Sequence, residues 1–286
     1  MFADDTTVSA YGKTVLDVHT ILQTNLNSIT KWCNQNSMVP NISKTKTMYI
    51  SASTNKTLSD HTNSPALKMH DQSLAYSSTE KLLGVYVDQH LNWKFQVEQT
   101  IKKCNSYLYL LLRIKTFLNL HSRKLFFNAY ILPHLDYCCT IWGNCSDKLS
   151  ETILKFQKRA ARIILDKDYN SPSEELFKEL RWMTFQERIK YKKAILVYKS
   201  LNNVCPEYLQ TKFTHLQTNS CQTLRSVENN ELTVPTPRLE FYRKSLCYSG
   251  PIIWNTIPKY VRLSTSIETF KRSYLKWRYS GTAENC

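Results

Sequence analysis

Glycine is scarce in this chain, and its scarcity limits the backbone conformations that the fold can use. Only five glycines occur among 286 residues, against about 7% of residues in average proteins. Because glycine best tolerates a positive φ angle, we expect few tight turns of that kind. Long helices joined by asparagine-containing turns are favoured instead. A hydrophobic content of 42% is enough for a packed core, so the sequence predicts a helix-rich globular chain.

The spacing of apolar residues is mixed before residue 92. Residues 1–10 predict a turn followed by a short strand, because β-branched residues follow two aspartates. A helix is predicted over 14–35, where Leu22, Leu26, Ile29 and Cys33 recur at helical spacing. Alternation predicts a strand at about 45–50, and the polar stretch 53–73 predicts a surface loop. Residues 81–88 predict a buried strand that Gly84 interrupts.

After residue 92 the spacing becomes helical almost throughout. Helices are predicted over 94–118, 122–132, 147–166, 173–181, 184–201 and 266–278. We expect Ser122 to cap the second of these helices and Pro133 to end it. In the third, apolar residues such as Ile153 and Phe156 occupy one side and basic residues the other. The stretch 212–238 is polar and predicts irregular structure.

The net charge of +15 is concentrated in this helical part. Residues 1–101 carry eight Lys/Arg and eight Asp/Glu, a net charge of zero. Residues 102–199 carry 19 against nine, which is +10, and residues 200–286 carry 11 against six, which is +5. A polyanion is the natural partner of such a basic region, although basic helices also occur simply as solvated surfaces.

Cysteine usage and hydropathy bear on the compartment. Nine scattered cysteines without a preceding signal peptide predict a reduced intracellular protein, in the nucleus or cytoplasm. The most apolar run, at 107–114, is shorter than the roughly 20 residues of a membrane span, so no membrane partner is expected. A zinc site is disfavoured, because no Cys-x2-Cys pair accompanies the candidates His134, Cys138, Cys139 and Cys145.

Several short motifs occur in a fixed order along the chain. They are "FADD" (2–5), an Asn-x-x-Lys in "WCNQNSMVPNISKTKTM" (32–48), "EKLLGVYVDQHLNW" (80–93), "AYILPHLDYCCTIWG" (129–143), "LKFQKRAARIIL" (154–165), "GPIIWNTIP" (250–258) and "FKRSYLKW" (270–277). Alone, an Asp-Asp pair is most often an ordinary turn. Together and in this order, the motifs resemble the reverse transcriptase of non-LTR, LINE-type retrotransposons of the jockey and CR1 group, and the resemblance covers nearly the whole chain.

The resemblance implies an α+β fold. Residues 1–93 would be the remnant of a polymerase palm with a β-hairpin, a helix and short strands. Residues 94–204 would be a basic, mainly α-helical thumb, and 205–286 the C-terminal helical region of the reading frame. The implied activity is RNA-directed DNA polymerisation, with an RNA template and a DNA primer as partners.

Family roles pass to the matching residues. Asp4 and Asp5 would bind the two Mg²⁺ ions of nucleotidyl transfer, with Asp5 the auxiliary carboxylate. Lys44 would be the general acid for pyrophosphate, unless it is only a solvated strand lysine. The primer grip would be Leu83 and Gly84, for which core strand is the alternative. Phosphates of template and primer would face Lys155, Lys158, Arg159 and Arg162, for which a solvated helix face is the alternative.

The resemblance also implies parts that this sequence does not contain. The fingers, the nucleotide contacts and an earlier palm strand with another catalytic aspartate would precede residue 1. We therefore expect these 286 residues alone to be inactive as a polymerase. The alternatives are a non-catalytic nucleic-acid-binding relic or domesticated module that uses its basic helices, and a structural or interaction protein that binds no nucleic acid.

Overall fold

The structure is a computed structural model in which residues 6–51, 66–216 and 230–280 are described. Contacts divide the chain into two compact units, Met1–Phe95 (unit 1) and Gln96–Cys286 (unit 2). Helices dominate and the strands are short, so the described chain mixes helix and sheet and is compatible with the α+β class. The more specific palm-and-thumb architecture stays a prediction.

The described part of unit 1 contains α1 (Val15–Gln35), β1 (Lys46–Thr47), β2 (Lys68–Met69), β3 (Gln72–Ser73), β4 (Ala75–Tyr76), β5 (Thr79–Leu82) and β6 (Val85–Asp88). The helices that follow are α2 (Lys94–Ile114), α3 (Leu120–Phe126), α4 (Leu132–Asp136), α5 (Cys139–Trp142), α6 (Asp147–Leu165), α7 (Ser173–Leu180), α8 (Phe185–Leu201), α9 (Glu207–Gln210), α10 (Glu240–Arg243), α11 (Leu246–Asn255), α12 (Lys259–Arg262) and α13 (Ile267–Ser280). A 3₁₀ turn (Lys115–Phe117) follows α2. A single turn of π-helix (Phe127–Ile131), called the π-turn below, joins α3 to α4.

Helix α1 confirms the first predicted helix. A capping box closes its first turn, because the Asp17 N–H donates to Thr14 Oγ1 and the Thr14 N–H donates to Asp17 Oδ2, both at 3.1 Å. Leu26 and Cys33 are buried, as their spacing predicts. The apolar side of α1 packs on a small cluster whose other members are Leu67, Met69, Leu74 and Ile42.

The prediction of a surface loop over 53–73 is wrong for residues 66–73, the part of this stretch that the structure describes. Leu67 and Met69 are buried, and β2 pairs with β3 in a short antiparallel hairpin. The side chain of Gln23 on α1 completes this edge: its Nε2 donates to Lys68 O and its Oε1 accepts from the Lys68 N–H, both at 2.9 Å. A two-residue strand bonded to a helix side chain is too short to show as alternation in the sequence.

Two strand predictions also need correction. Of the strand expected at 45–50, only Lys46–Thr47 forms a paired strand, which is parallel to β4. The stretch 81–88 is not one buried strand. It belongs to the antiparallel hairpin β5–β6, in which Leu82 lies opposite Val85. Leu83 and Gly84 form the turn with φ angles of 46° and 85°, as type I′ turns require.

Helix boundaries differ from prediction around α3 and α4. The helix begins at Leu120 and not after Ser122, because Asn119 Oδ1 accepts the Ser122 N–H at 2.8 Å. Pro133 does not end the helical path. It lies in the first turn of α4, where its missing N–H costs no hydrogen bond, and the π-turn Phe127–Ile131 carries the chain into that helix.

Helices α6, α7 and α8 agree closely with the predicted ones. Gln157 faces inward from α6: its Nε2 donates to Met183 O at 3.2 Å, and its Oε1 accepts the Phe185 N–H at 2.8 Å. Thr184 and Glu187 form a capping box at the start of α8. The first turn of α8 is thus held both by its own cap and by α6.

One buried cluster gathers the C-terminal segments against α8. Its members are Met183, Ala194, Val197, Tyr198, Phe213, Leu232, Trp254, Ile257, Val261, Phe270 and Tyr274. Phe213 and Leu232 come from the stretch 212–238, which was predicted to be irregular. Asn255 holds Leu232 in place through two hydrogen bonds to its backbone, of 2.8 and 2.9 Å.

Left-handed backbone positions are more numerous than the glycine count led us to expect. Eleven described residues other than glycine have φ between 46° and 62°. Four of them are Asn or Asp, in line with the expected turn chemistry, but Leu83, Trp93 and Cys138 are not. Each such residue costs about 1 kcal/mol in backbone strain.

Candidate nucleic-acid interface

The implied metal ligands Asp4 and Asp5 lie outside the described residues. Residues 6–10, expected to continue into a strand, have no regular secondary structure. The Mg²⁺ site therefore stays a prediction from the motif.

Lys44 is exposed in a turn that Asn41 closes. The Lys44 N–H lies 3.2 Å from both Asn41 Oδ1 and Asn41 O, and Ser43 Oγ donates to Asn41 Oδ1 at 2.7 Å. Asparagine favours such turns because its side chain can imitate a backbone acceptor. The Asn-x-x-Lys motif thus has a structural explanation at Asn41, whereas a general-acid role for Lys44 stays a prediction.

The suggested primer grip lies at the tip of the β5–β6 hairpin. Leu83 is 55% exposed and has a positive φ, which is rare for a leucine. A large apolar side chain on a strained, exposed turn is not the core strand that was the alternative for these residues. The hairpin places Leu83 and Gly84 at its turn, a position that is compatible with contact to a ligand.

Helix α6 separates its apolar and basic sides. Ile153, Phe156, Ala160 and Ile164 are buried. Lys155 and Arg159 are exposed, and Lys158 is partly exposed. The Lys155 side chain is 72% exposed and pairs with Glu151 one turn earlier, at 2.9 Å. Such exposed pairs are weak, so this lysine remains available to a polyanion.

Arg162 differs from the other three basic residues that were predicted to face phosphates. Its Nη2 donates to Ser171 O at 3.1 Å, and its guanidinium lies 5.4 Å from the Tyr169 ring. These contacts tie the segment after α6 back to the helix. Arg162 therefore already has a structural role, and its substitution would disturb more than a surface charge.

A second cationic region was missed in the sequence. Residues 99–135 contain six Lys/Arg and no Asp or Glu: Lys102, Lys103, Arg113, Lys115, Arg123 and Lys124. Lys115 pairs with Asp166 at 2.5 Å, and Arg123 Nε donates to Lys115 O and Leu118 O, both at 3.0 Å. Within the described ranges, no carboxylate lies within 4.0 Å of the other four cations. The absence of Asp and Glu from residues 99–135 could have revealed this region in the sequence. Net charges summed over segments of about a hundred residues conceal it.

The cations of α8 serve mainly the interior of unit 2. Arg188 donates to Asp136 from Nε and from Nη2, with Nη2–Oδ2 at 2.5 Å, and Lys192 Nζ approaches the same carboxylate at 3.2 Å. Lys193 is only 3% exposed, and its Nζ donates to Asn144 Oδ1 at 2.6 Å and to Ser249 Oγ at 2.9 Å. Burial lowers the Lys193 pKa from 10.5 to about 8. The number of Lys and Arg residues in α8 is therefore larger than the number of positive charges that the helix offers at the surface.

The cysteine candidates are buried or half-buried thiols. Burial raises the pKa of Cys139 and of Cys145 to about 11. Both therefore hold their proton at neutral pH, in contrast to the thiolates that ligate metals or attack substrates. His134 lies instead against the Tyr107 ring.

No helix in the described ranges is long and apolar enough to cross a membrane. Comparison of the chain with protein-family models, with curated proteins and with solved structures gave no match.

Proposed function

We propose that this chain is the palm-end and thumb part of a non-LTR retrotransposon reverse transcriptase, and that unit 2 holds nucleic acid. The observation that carries the proposal is the solvent side of α6, where Lys155, Lys158 and Arg159 project opposite a fully buried apolar side. Cations fixed on a rigid helix neutralise phosphates at little ordering cost. The ordered series of motifs supplies the reverse-transcriptase part of the proposal.

In the parent reaction Mg²⁺ would supply charge stabilisation for nucleotidyl transfer. Asp4 and Asp5 are the residues that would hold it. What the described residues contribute is binding and orientation of the RNA template and DNA primer. Binding by the cations of unit 2 and positioning at the β5–β6 tip are separate contributions, since these residues lie in separate units.

A second candidate function is nucleic-acid binding without polymerisation, as in a relic or a domesticated module. It is favoured by the location of Lys155, Lys158 and Arg159, which lie in unit 2, whereas the implied catalytic residues all lie in unit 1. The two candidates share the binding surface and differ in whether Asp4 and Asp5 matter. Nucleic-acid binding that does not change when these aspartates are replaced fits both candidate functions. Primer extension that depends on the aspartates fits only the reverse transcriptase.

The test measures binding of the purified full chain to fluorescent RNA and DNA over a series of salt concentrations. Neutralising Lys155, Lys158 and Arg159 to Gln is expected to weaken binding and to lower the log–log salt slope by about 2 for a single strand. Arg162 is left intact because its contacts are structural.

The matched control neutralises Lys13, Lys31 and Lys46, three exposed lysines of unit 1, which changes the net charge equally. If net charge alone governs binding, both triple variants lose affinity to the same extent. A wild-type chain whose binding does not depend on salt, or that does not bind, refutes the proposed function.

A further inference from the structure

We propose that four aromatic side chains of unit 2 form a surface on which the bases of single-stranded nucleic acid stack. This aromatic strip consists of Phe126, Tyr130, Tyr107 and His134. The inference rests on the proposed function and goes further, because it names the form of nucleic acid that is bound and the groups that touch its bases.

The rings of the aromatic strip follow one another closely. Ring centroids are 4.8 Å apart between Phe126 and Tyr130, 5.9 Å between Tyr130 and Tyr107, and 5.5 Å between Tyr107 and His134. Tyr107 and His134 are stacked, with 15° between their planes. Tyr130 is 52% exposed, and the other three are partly exposed. The four rings are therefore neighbours, and solvent reaches part of each of them.

Local structure explains how these rings meet. Phe126 ends α3, Tyr130 lies in the π-turn and His134 lies in α4, so three rings recur every four residues along one helical path. Tyr107 reaches the same face from the neighbouring helix α2. π-turns are frequent at functional sites, where they redirect side chains that a regular helix would place elsewhere.

The charges around the aromatic strip fit a polyanion. Lys103 precedes Tyr107 by one turn of α2. The His134 pKa is lowered mainly by burial of the imidazole and further by the positive charge of Lys103, so Lys103 lies near that ring. The strip lies wholly within residues 99–135, which contain no Asp or Glu. A strand whose bases stack on the rings therefore has cations, and no carboxylates from this segment, along its backbone.

This combination favours single strands over a duplex or an apolar protein partner. Exposed aromatic rings bind unpaired bases irrespective of sequence, whereas the bases of a duplex are already stacked on one another. An apolar protein surface that covered the strip would also cover Lys103 and would have to desolvate it without compensation. A single strand offers bases that can stack on the rings of the aromatic strip and phosphates that can pair with the nearby lysines.

The experiment compares a single-stranded oligonucleotide with an abasic strand of equal length and with the matching duplex, using the full chain at fixed salt. We expect the wild type to bind the base-bearing strand at least about tenfold more tightly than the abasic strand. Phe126→Leu/Tyr130→Leu, which keeps apolar bulk but removes two rings, is expected to lose this preference. Its affinity for the duplex and for the abasic strand should be unchanged.

Two controls separate ring loss from unfolding. Tyr130→Phe keeps the ring and should keep the preference, whereas Tyr109→Leu removes a tyrosine that is 59% exposed on another face of α2 and should not alter it. Equal binding of base-bearing and abasic strands by the wild type overturns the aromatic strip and leaves salt-dependent binding intact. Absence of binding to all three ligands overturns this inference together with the proposed function.

Discussion

Lys193 offers a direct test of how unit 2 is held together. Its Nζ is buried among Asn144, Ser249 and α8 without a carboxylate partner in the described structure. Replacing it by methionine keeps the length of the side chain and removes the charge. We expect the pH dependence of stability to change, since burial lowers the Lys193 pKa from 10.5 to about 8.

The sign of the effect follows from the direction of this shift. Below pH about 8 the lysine is charged in both states, and the folded protein bears the full cost of burying it. Between pH about 8 and 10.5 the unfolded chain keeps a proton that the folded chain has released, so stability rises with pH. At about 1.4 kcal/mol per pKa unit, the cost relieved across this window is about 3 kcal/mol.

The measurement is urea unfolding, followed by circular dichroism, of the wild type and Lys193→Met at pH values across this window. Wild-type stability relative to the variant is expected to increase by about 3 kcal/mol from neutral to alkaline pH. Groups other than Lys193 titrate in both proteins and cancel in the difference. Lys190→Met, on the exposed side of the same helix, is the matched control and should leave the wild-type pH dependence as it is. Parallel curves for the wild type and Lys193→Met would refute the reasoning.

Three further outcomes are expected. Leu83→Gly should raise the free energy of unfolding by about 1 kcal/mol in thermal or urea unfolding, because glycine relieves the left-handed strain of the turn; a loss of stability would contradict this. Asp136→Asn should cost about 2 kcal/mol, since it leaves the half-buried Arg188 without its carboxylate, whereas Asp166→Asn on the exposed pair with Lys115 should have little effect. Finally, the purified chain should not extend oligo(dT) on poly(rA) with Mg²⁺, and extension abolished by Asp4→Ala would contradict that expectation.

The long helices were predictable because their apolar residues repeat over many turns. Leu26 and Cys33 in α1, and Ile153 and Phe156 in α6, are buried at the positions that helical spacing predicts. The short strands were not predictable in the same way. The two-residue strand β1 depends on β4, which lies far along the chain, and β2, although paired with the adjacent β3, also depends on the side chain of Gln23.

The candidate site was predictable in its charge and less so in its geometry. The sequence identified Lys155, Lys158 and Arg159 as one side of a helix, and they lie there. It did not distinguish Arg162, because the contact with Ser171 depends on how the chain turns after α6. The aromatic strip was missed since Tyr107 and Tyr130 belong to different helices, and no periodicity in one segment predicts contact between two.

The π-turn at Phe127–Ile131 holds one residue more than a regular helical turn, and this keeps Phe126 and His134 on one side. In a regular helix the spacing from Phe126 to His134 would turn His134 about 80° away, at about 100° per residue. Deleting one residue there, such as the exposed Asn128, would shorten this spacing to about two full regular turns, so His134 would stay on the side of Phe126. The deletion would instead place Pro133 inside one regular helix, where its ring and its missing N–H destabilise by about 3 kcal/mol. Substitutions at these positions should therefore be tolerated far better than a single-residue deletion.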